Sequence, residues 1–315
     1  MRKSVIALSM LFALVSCGKS TSIDSLKEIS IGAVRCVETK GYVTDDALVE
    51  SGTPRDIHLS AYDASSSQPY FLNETFRNPA GTTLWTNYRG EVHTPLYWPQ
   101  STSLNFLAYS TGSVSPNAVW SVSGNSPQAV LKVTPESLQD DILFAVSNDC
   151  TAESSPVSLE FEHTQAWLEF IVKAPLAEIT NFKGVTIENI YTSGDLTIAD
   201  NYGTPYFSWD FSRTSRTNYM LAPDWTAYST SEPQISLSVL IPQQLRNSFK
   251  FHFDINGSEK IYECELPGSG YWYSSMRYTY MVNVIGGEIT PVSKSDNDAI
   301  NDFDCEFTMS ENSWK

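Results

Sequence analysis

Two-residue alternation of apolar and polar side chains recurs along most of this chain, and nothing else in the sequence constrains the fold as tightly. "DIHLSAYD" places Ile57, Leu59 and Ala61 on one face, "LNFLAYS" places Leu104, Phe106 and Ala108, and "DILFAVS" places Ile142, Phe144 and Val146. Period two is the pattern of a half-buried strand. In "VSLEFEHTQAWLEFIVKA", Val157, Leu159 and Phe161 face one way with Glu160 and Glu162 outward, and Leu168, Phe170 and Val172 resume after His163. "ISLSVLI" and "RYTYMVNVIGGEI" follow the same rule, with turn-rich stretches such as "SSSQP", "NPAGTT" and "SGNSPQ" between the early strands. Only "DDALVES", 45–51, reads as a short helix. With 41% hydrophobic and 12% aromatic residues the chain can build real cores. The expected class is all-β, with antiparallel β-sandwiches. A length of 315 residues suggests about two domains. The polar passage "SNDCTAESSP", 147–156, sets the expected boundary: one sandwich over 41–153 and a second over 154–315.

One hairpin can be read in register. "FKFHFDI" and "KIYECEL" flank "NGSE", 256–259, and Asn-Gly is the strongest short hairpin signal. A two-residue loop sets Asp254 opposite Glu259 and Phe253 opposite Lys260. A four-residue loop pairs Phe253 with Tyr262, Phe251 with Cys264 and Phe249 with Leu266, and sets Lys250 across from Glu265 and His252 across from Glu263. Such pairs contribute about 0.2–1 kcal/mol each, and like charges cost as much, so the longer loop is expected. Either register puts Cys264 on the phenylalanine face.

The first residues address the chain to an envelope. Arg2 and Lys3 precede the apolar run "VIALSMLFALV", which is too short to span a bilayer and reads as a signal peptide over 1–16. It ends in "LVSC", Leu14 to Cys17, which resembles a bacterial lipobox and implies cleavage before Cys17 and acylation of that residue. Several acyl chains on one cysteine would anchor the protein stably to a membrane, where one chain binds marginally. No later run has transmembrane length and apolarity. A net charge of −16 excludes nucleic acid as a natural partner. Beyond Cys17 the cysteines are Cys36, Cys150, Cys264 and Cys305; four allow three connectivities, no CxxC occurs, and some are expected as buried free thiols.

Just past the leader, "KEISIGAVRCVETKG", 27–41, alternates Ile29, Ile31 and Ala33 with Ser30 and Gly32, and two cations follow, Arg35 and Lys40. A strand this close to an anchor belongs to a lipid-linked segment, 17–40, ahead of the first sandwich.

Three further stretches carry a family resemblance. "PLYWPQSTSLNFLAYST", 95–111, resembles the Tyr-Trp-Pro turn and aromatic strand of fimbrillin-like lipoproteins of anaerobic Gram-negative bacteria. "FEHTQAWLEFIV", 161–172, resembles the strand opening their second domain, and "GSGYWYSSMRYTYMVNV", 268–284, their late Gly-x-x-Tyr hairpin. The resemblance implies a type V pilus subunit with two transthyretin-like sandwich domains, delivered to the outer membrane as a lipoprotein and then to the surface fimbrium. It implies an arginine-specific protease that removes the N-terminal strand, and other pilin subunits, or copies of the same chain, whose C-terminal strand fills the vacated groove. On that reading Ile29, Ile31 and Ala33 belong to the exchangeable strand, Arg35 is the processing site with Lys40 as the alternative, and Arg55 is a further candidate. In the tail only "DFDCEFTM" alternates, so Phe303, Cys305, Phe307 and Met309 form a short candidate donor. A host glycan or protein receptor is a further implied partner.

Catalytic chemistry is not expected. HExxH, GxSxG, P-loop and strand-associated GxGxxG motifs do not occur. His58, His93, His163 and His252 are scattered, Asp296, Asn297 and Asp298 lack EF-hand spacing, and no cofactor or metal is expected. His163 is expected to end a strand and hydrogen-bond the backbone at the domain junction. Glu160 and Glu162 share an outward face and read as a solvated edge. A rival, non-polymerising reading rests on Trp85, Tyr88, Tyr97 and Trp98, which in turn-rich sequence could form a sugar-stacking platform.

Overall fold

The computed structural model describes residues 26–36, 56–79, 82–111, 117–123, 126–135, 141–173, 179–201, 204–221, 234–240, 243–244, 249–255, 257–264, 271–284 and 305–313. The leader with Cys17, the 45–51 segment, Lys40, Arg55 and Phe303 lie outside them. In chain order the first strands are β1 (Ile31–Cys36), β2 (Ile57–Asp63), β3 (Pro69–Arg77), β4 (Thr86–Arg89), β5 (Val92–His93), β6 (Leu104–Ser110), β7 (Asn117–Ser123), β8 (Ser126–Val133), β9 (Leu143–Cys150) and β10 (Val157–His163). Next come β11 (Ala166–Lys173), β12 (Ile179–Ile190), β13 (Gly194–Asn201), β14 (Thr204–Asp210), β15 (Thr217–Leu221) and β16 (Gln234–Leu240). The last are β17 (Gln243–Gln244), β18 (Phe249–Ile255), β19 (Ser258–Cys264), β20 (Tyr271–Trp272), β21 (Met276–Val284) and β22 (Cys305–Ser313). The fold is all-β, as the alternation requires.

An eight-stranded sheet in the order β1-β10-β9-β6-β2-β3-β4-β5 organises the first half, antiparallel throughout except for the parallel pair β1–β10. Its central strands are buried on both faces. Leu104, Phe106 and Ala108 of β6 join Ile57, Leu59 and Ala61 in one core. Leu107 and Tyr109 face the other way, with Tyr62 and Phe144, against Leu131, Val133, Leu196 and Ile198 of a second sheet. That sheet runs β14-β13-β8-β7. Phe144 meets Phe207 edge-on at 5.2 Å across the gap, and Tyr109 meets Trp120 at 5.9 Å. Double-sided burial explains why "LNFLAYS" is more apolar than simple alternation requires.

Sheet pairing does not divide at 153/154. "SNDCTAESSP" forms a corner with a single 3-10 turn, Ala152–Ser154, between β9 and β10, which then pair antiparallel through Phe144–Glu162 and Leu143–His163. Further along, β13 pairs with β8, Leu196 opposite Leu131 and Ile198 opposite Ala129.

The remaining strands form sheets β16-β11-β21-β22 and β15-β12-β18-β19, with β17 and β20 as a small pair. Phe170 of β11 meets Phe249 and Phe251 of β18 edge-on at 4.9 and 6.1 Å, so these two sheets share a core. The hairpin β18–β19 takes the shorter loop, correcting the sequence reading: Asp254 stands opposite Glu259, Phe253 opposite Lys260 and Phe249 opposite Cys264. Gly257 supplies the positive φ of +77° that the tight turn needs. The carboxylates are tolerated because Lys183 of neighbouring β12 reaches Asp254 at 3.0 Å and Glu259 at 3.8 Å. Cys150 is a free, buried thiol whose pKa burial pushes up; the side chains of Cys36, Cys264 and Cys305 lie outside the described residues.

Candidate functional site

The segment from Lys27 to Cys36 lies in a slot, hydrogen-bonded along both edges over residues 27–31 and along β10 alone from there to Cys36. Toward β10, the Val157 N–H donates to the Ser30 carbonyl at 2.8 Å, and a parallel ladder continues from Val34 opposite Leu159 to Cys36 opposite Phe161. Toward the other wall, the Ile29 N–H donates to the Leu96 carbonyl at 2.7 Å and the Trp98 N–H donates to the Lys27 carbonyl at 3.0 Å. Odd residues thus bond one wall and Ser30 the other, as a strand inserted between two strands must. Trp85 directly precedes β4, so the insertion links the first strand of the eight-stranded sheet to the far side of the same sheet.

Side chains fix the seating. Ile29 and Ile31 are fully buried and Val34 nearly so, in one core with Trp85, Trp98, Phe106, Leu159 and Phe161. Each buried aliphatic contributes about 1.5–3 kcal/mol. The register breaks between Ile31 and Ala33, where Ala33 pairs with Ser158 one step short of regular spacing. This bulge brings Val34 to the core, where unbroken alternation from Ile31 pointed to Ala33. At the rim, Glu28 Oε1 lies 2.6 Å from His93 Nε2, and the Ser155 hydroxyl donates to the Glu28 carbonyl at 3.2 Å. Gly32 is the residue that sequence reasoning passed over. A Cβ there would lie 2.6 Å from both Cβ and Cγ of Pro156. A glycine inside a strand pattern is the available signal for so close an approach.

Arg35 stands opposite Glu160 within the β1–β10 ladder. The peptide bond after it is therefore in paired strand, at the end of β1. Of the candidate donor, Cys305, Phe307 and Met309 lie in β22, nine residues long, antiparallel to β21 with Cys305 opposite Val284, Phe307 opposite Val282 and Met309 opposite Tyr280. β22 is longer than the expected short donor and forms an edge of its sheet.

The aromatic platform is overturned. Trp85 is 1% and Trp98 4% exposed; both are core residues of the slot, and Trp98 meets Phe106 edge-on at 5.7 Å. Tyr97 is exposed, and its carbonyl accepts the Tyr70 hydroxyl at 2.8 Å. His163 ends β10 as expected, yet its buried Nδ1 contacts a carboxylate, Asp141 Oδ2, at 2.7 Å. Glu162 is half-buried, and burial followed by the charge of Glu160 raises its pKa, so the pair is not simply a solvated edge.

Comparisons with known proteins bear on this geometry. A protein from Bacteroides ovatus solved as a "putative cell adhesion protein" shares the fold with a TM-score of 0.59 at 15% identity, over 92% of this chain and 99% of that one. One of the same description from Bacteroides uniformis gives 0.55 at 15%, over 92% and 100%. The tip fimbrial protein Mfa3 from Porphyromonas gingivalis, with C-terminal truncation, gives 0.42 at 8%, over 91% and 98%. Comparison with curated proteins finds no match. The family model described as fimbrillin-like matches residues 43–298, from before β2 to beyond β21, and on that span the chain belongs to the fimbrillin-like family.

Proposed function

We propose that this fimbrial subunit, a cell-surface pilus or adhesin component, assembles by exchange of the strand that fills its slot. The N-terminal segment is a plug. It arrives tethered through acylated Cys17 at the outer membrane, and an arginine-specific protease cuts after Arg35, or at Lys40, to release plug and lipid together. A C-terminal strand of another subunit then enters the slot. The observation that carries this reading is the two-edged hydrogen bonding of residues 27–31, continued by the β10 ladder to Cys36. Backbone bonds are indifferent to side chains, so another strand can remake them while its alternate residues fill the places of Ile29, Ile31 and Val34. β22 has the reach: nine residues extend about 30 Å. As an edge strand it can leave β21 without splitting its sheet.

The test treats purified precursor with an arginine-specific protease and resolves the product unboiled. A ladder of oligomers with an N-terminus at Cys36, or at Gly41 where the protease also accepts lysine, supports the reading. Arg35→Ala combined with Lys40→Ala should leave monomer, and so should deletion of residues 305–315. Cleaved chains that stay monomeric, or ladders that form without cleavage, refute it.

A further inference from the structure

We propose that a cleft of about 220 Å³ in the second half of the chain, separate from the slot, binds one neutral sugar ring of a glycan. One wall is Phe207 and Trp209 of β14, with Phe211 just beyond. The opposite wall is Tyr271 and Tyr273, flanking β20 and its end. Ser208 and Ser274 complete the lining.

Local sequence sets up the exposed wall. In "YWY" the central Trp272 is fully buried, while Tyr271 is 42% and Tyr273 59% exposed, their rings 4.6 Å apart. The buried indole pins two solvent-facing rings in place. Across the cleft, Trp209 and Phe211 have nearly parallel rings, 8° apart in plane, and Phe211 stacks on Tyr191 at 4.4 Å. The Arg216 guanidinium covers Tyr191 at 4.5 Å and closes that stack.

Both walls are bolted to the same three residues between β10 and β11. The Trp209 indole N–H donates to the Thr164 carbonyl at 3.1 Å. The Ser275 N–H donates to the Gln165 carbonyl at 2.9 Å, and its hydroxyl donates to the His163 carbonyl at 2.5 Å. The Tyr278 hydroxyl accepts from the Tyr273 N–H at 2.8 Å and donates to the Tyr271 carbonyl at 3.2 Å. The cleft is therefore built before a ligand arrives, which lowers the ordering cost of binding.

The lining selects the ligand. A pyranose ring carries apolar C–H faces, which match flat aromatic walls, and the tyrosine hydroxyls can meet its rim of hydroxyls. Among the described residues no charged side chain lines the cleft, and a net charge of −16 repels anionic glycans. The volume is below the ~300–1,000 Å³ of pockets for larger ligands, which suits a single ring.

The experiment uses the uncleaved chain, so strand exchange plays no part in its outcome. Neutral oligosaccharides of glucose, mannose and galactose are titrated while tryptophan fluorescence and retention on the matching immobilised glycans are followed. At least one should bind saturably. Tyr271→Ala and Tyr273→Ala should each weaken it about fivefold to tenfold, a range set by the worth of one aromatic contact. Tyr273→Trp should preserve binding by keeping a ring face, and Tyr206→Ala, exposed on β14 but outside the cleft, should leave it unchanged. Failure of every neutral glycan to bind, or binding that survives both alanine substitutions, overturns the proposal.

Discussion

Ile31 and Trp85 exchange both of their backbone hydrogen bonds, at 3.0 and 2.9 Å, and both side chains are buried in the same core. The segment 27–36 is thus part of the fold. Ile31→Ala should lower the stability of the uncleaved chain by about 2–5 kcal/mol, the range for deleting a large aliphatic from a packed core. Leu26→Ala, 51% exposed just ahead of the slot, should change it by no more than about 0.5 kcal/mol. Urea unfolding of both variants checks the contrast. Equal effects would mean that the slot tolerates an empty position and that the N-terminal segment is only loosely held.

Gly32 and Gly257 are required for different reasons. At Gly32 the obstacle is steric, because Pro156 carbons lie 2.6 Å from where a Cβ would sit, and Gly32→Ala should cost about 1–3 kcal/mol through overpacking. Gly257 has open space around it and a φ of +77°, so Gly257→Ala should cost about 1 kcal/mol of backbone strain. Substituting Pro156 by Gly, which removes both clashing carbons, should rescue the first and leave the second unaffected, measured as melting temperatures of the single and double variants.

Asp141 and His163 form a hydrogen-bonded contact that is almost wholly withdrawn from water, 0% and 1% exposed. Removing one partner deprives the buried other of this bond, so Asp141→Ala should destabilise by about 1–3 kcal/mol. Asp56→Ala breaks the partly exposed pair with Arg77 and should cost about 1 kcal/mol or less. Asp141→Leu combined with His163→Leu should recover much of the loss, and chemical denaturation reads all three.

Alternation made the strands legible because burial on one face writes itself into every second residue: Val157, Leu159 and Phe161 are buried as read, and so are Ile29 and Ile31. Long-range pairing leaves no such mark. The hairpin loop was decided by Lys183, a residue of a neighbouring strand that no inspection of 249–266 could weigh. The bulge that brings Val34 to the core depends on the β10 register. Trp85 and Trp98 sit in turn-rich sequence and still fill the core, because a slot needs large side chains at its mouth. "YWY" did carry a local signal, two rings out around one ring in, but its partners come from β14, about sixty residues earlier.

Glu162 and Glu74 should respond to pH with opposite signs. For Glu162, burial first and the neighbouring Glu160 second raise the pKa in the folded chain. The folded state then holds this proton more tightly than the unfolded state does, so its contribution to stability is present below the unfolded value of 4.5 and is lost as pH rises through the folded pKa. Glu162→Gln should therefore raise the melting temperature at pH 7, with the gain shrinking toward about pH 4. For Glu74, the hydrogen bond from Arg89 leads in lowering the pKa, with burial opposing it and Asn87 adding a second hydrogen bond. That contribution is present above 4.5 and is lost as pH falls through the folded pKa, so Glu74→Gln should lower the melting temperature at pH 7 and lose its effect in acid. Thermal unfolding of the two variants at both pH values distinguishes them from each other, and parallel shifts would show that local environment does not govern either carboxylate.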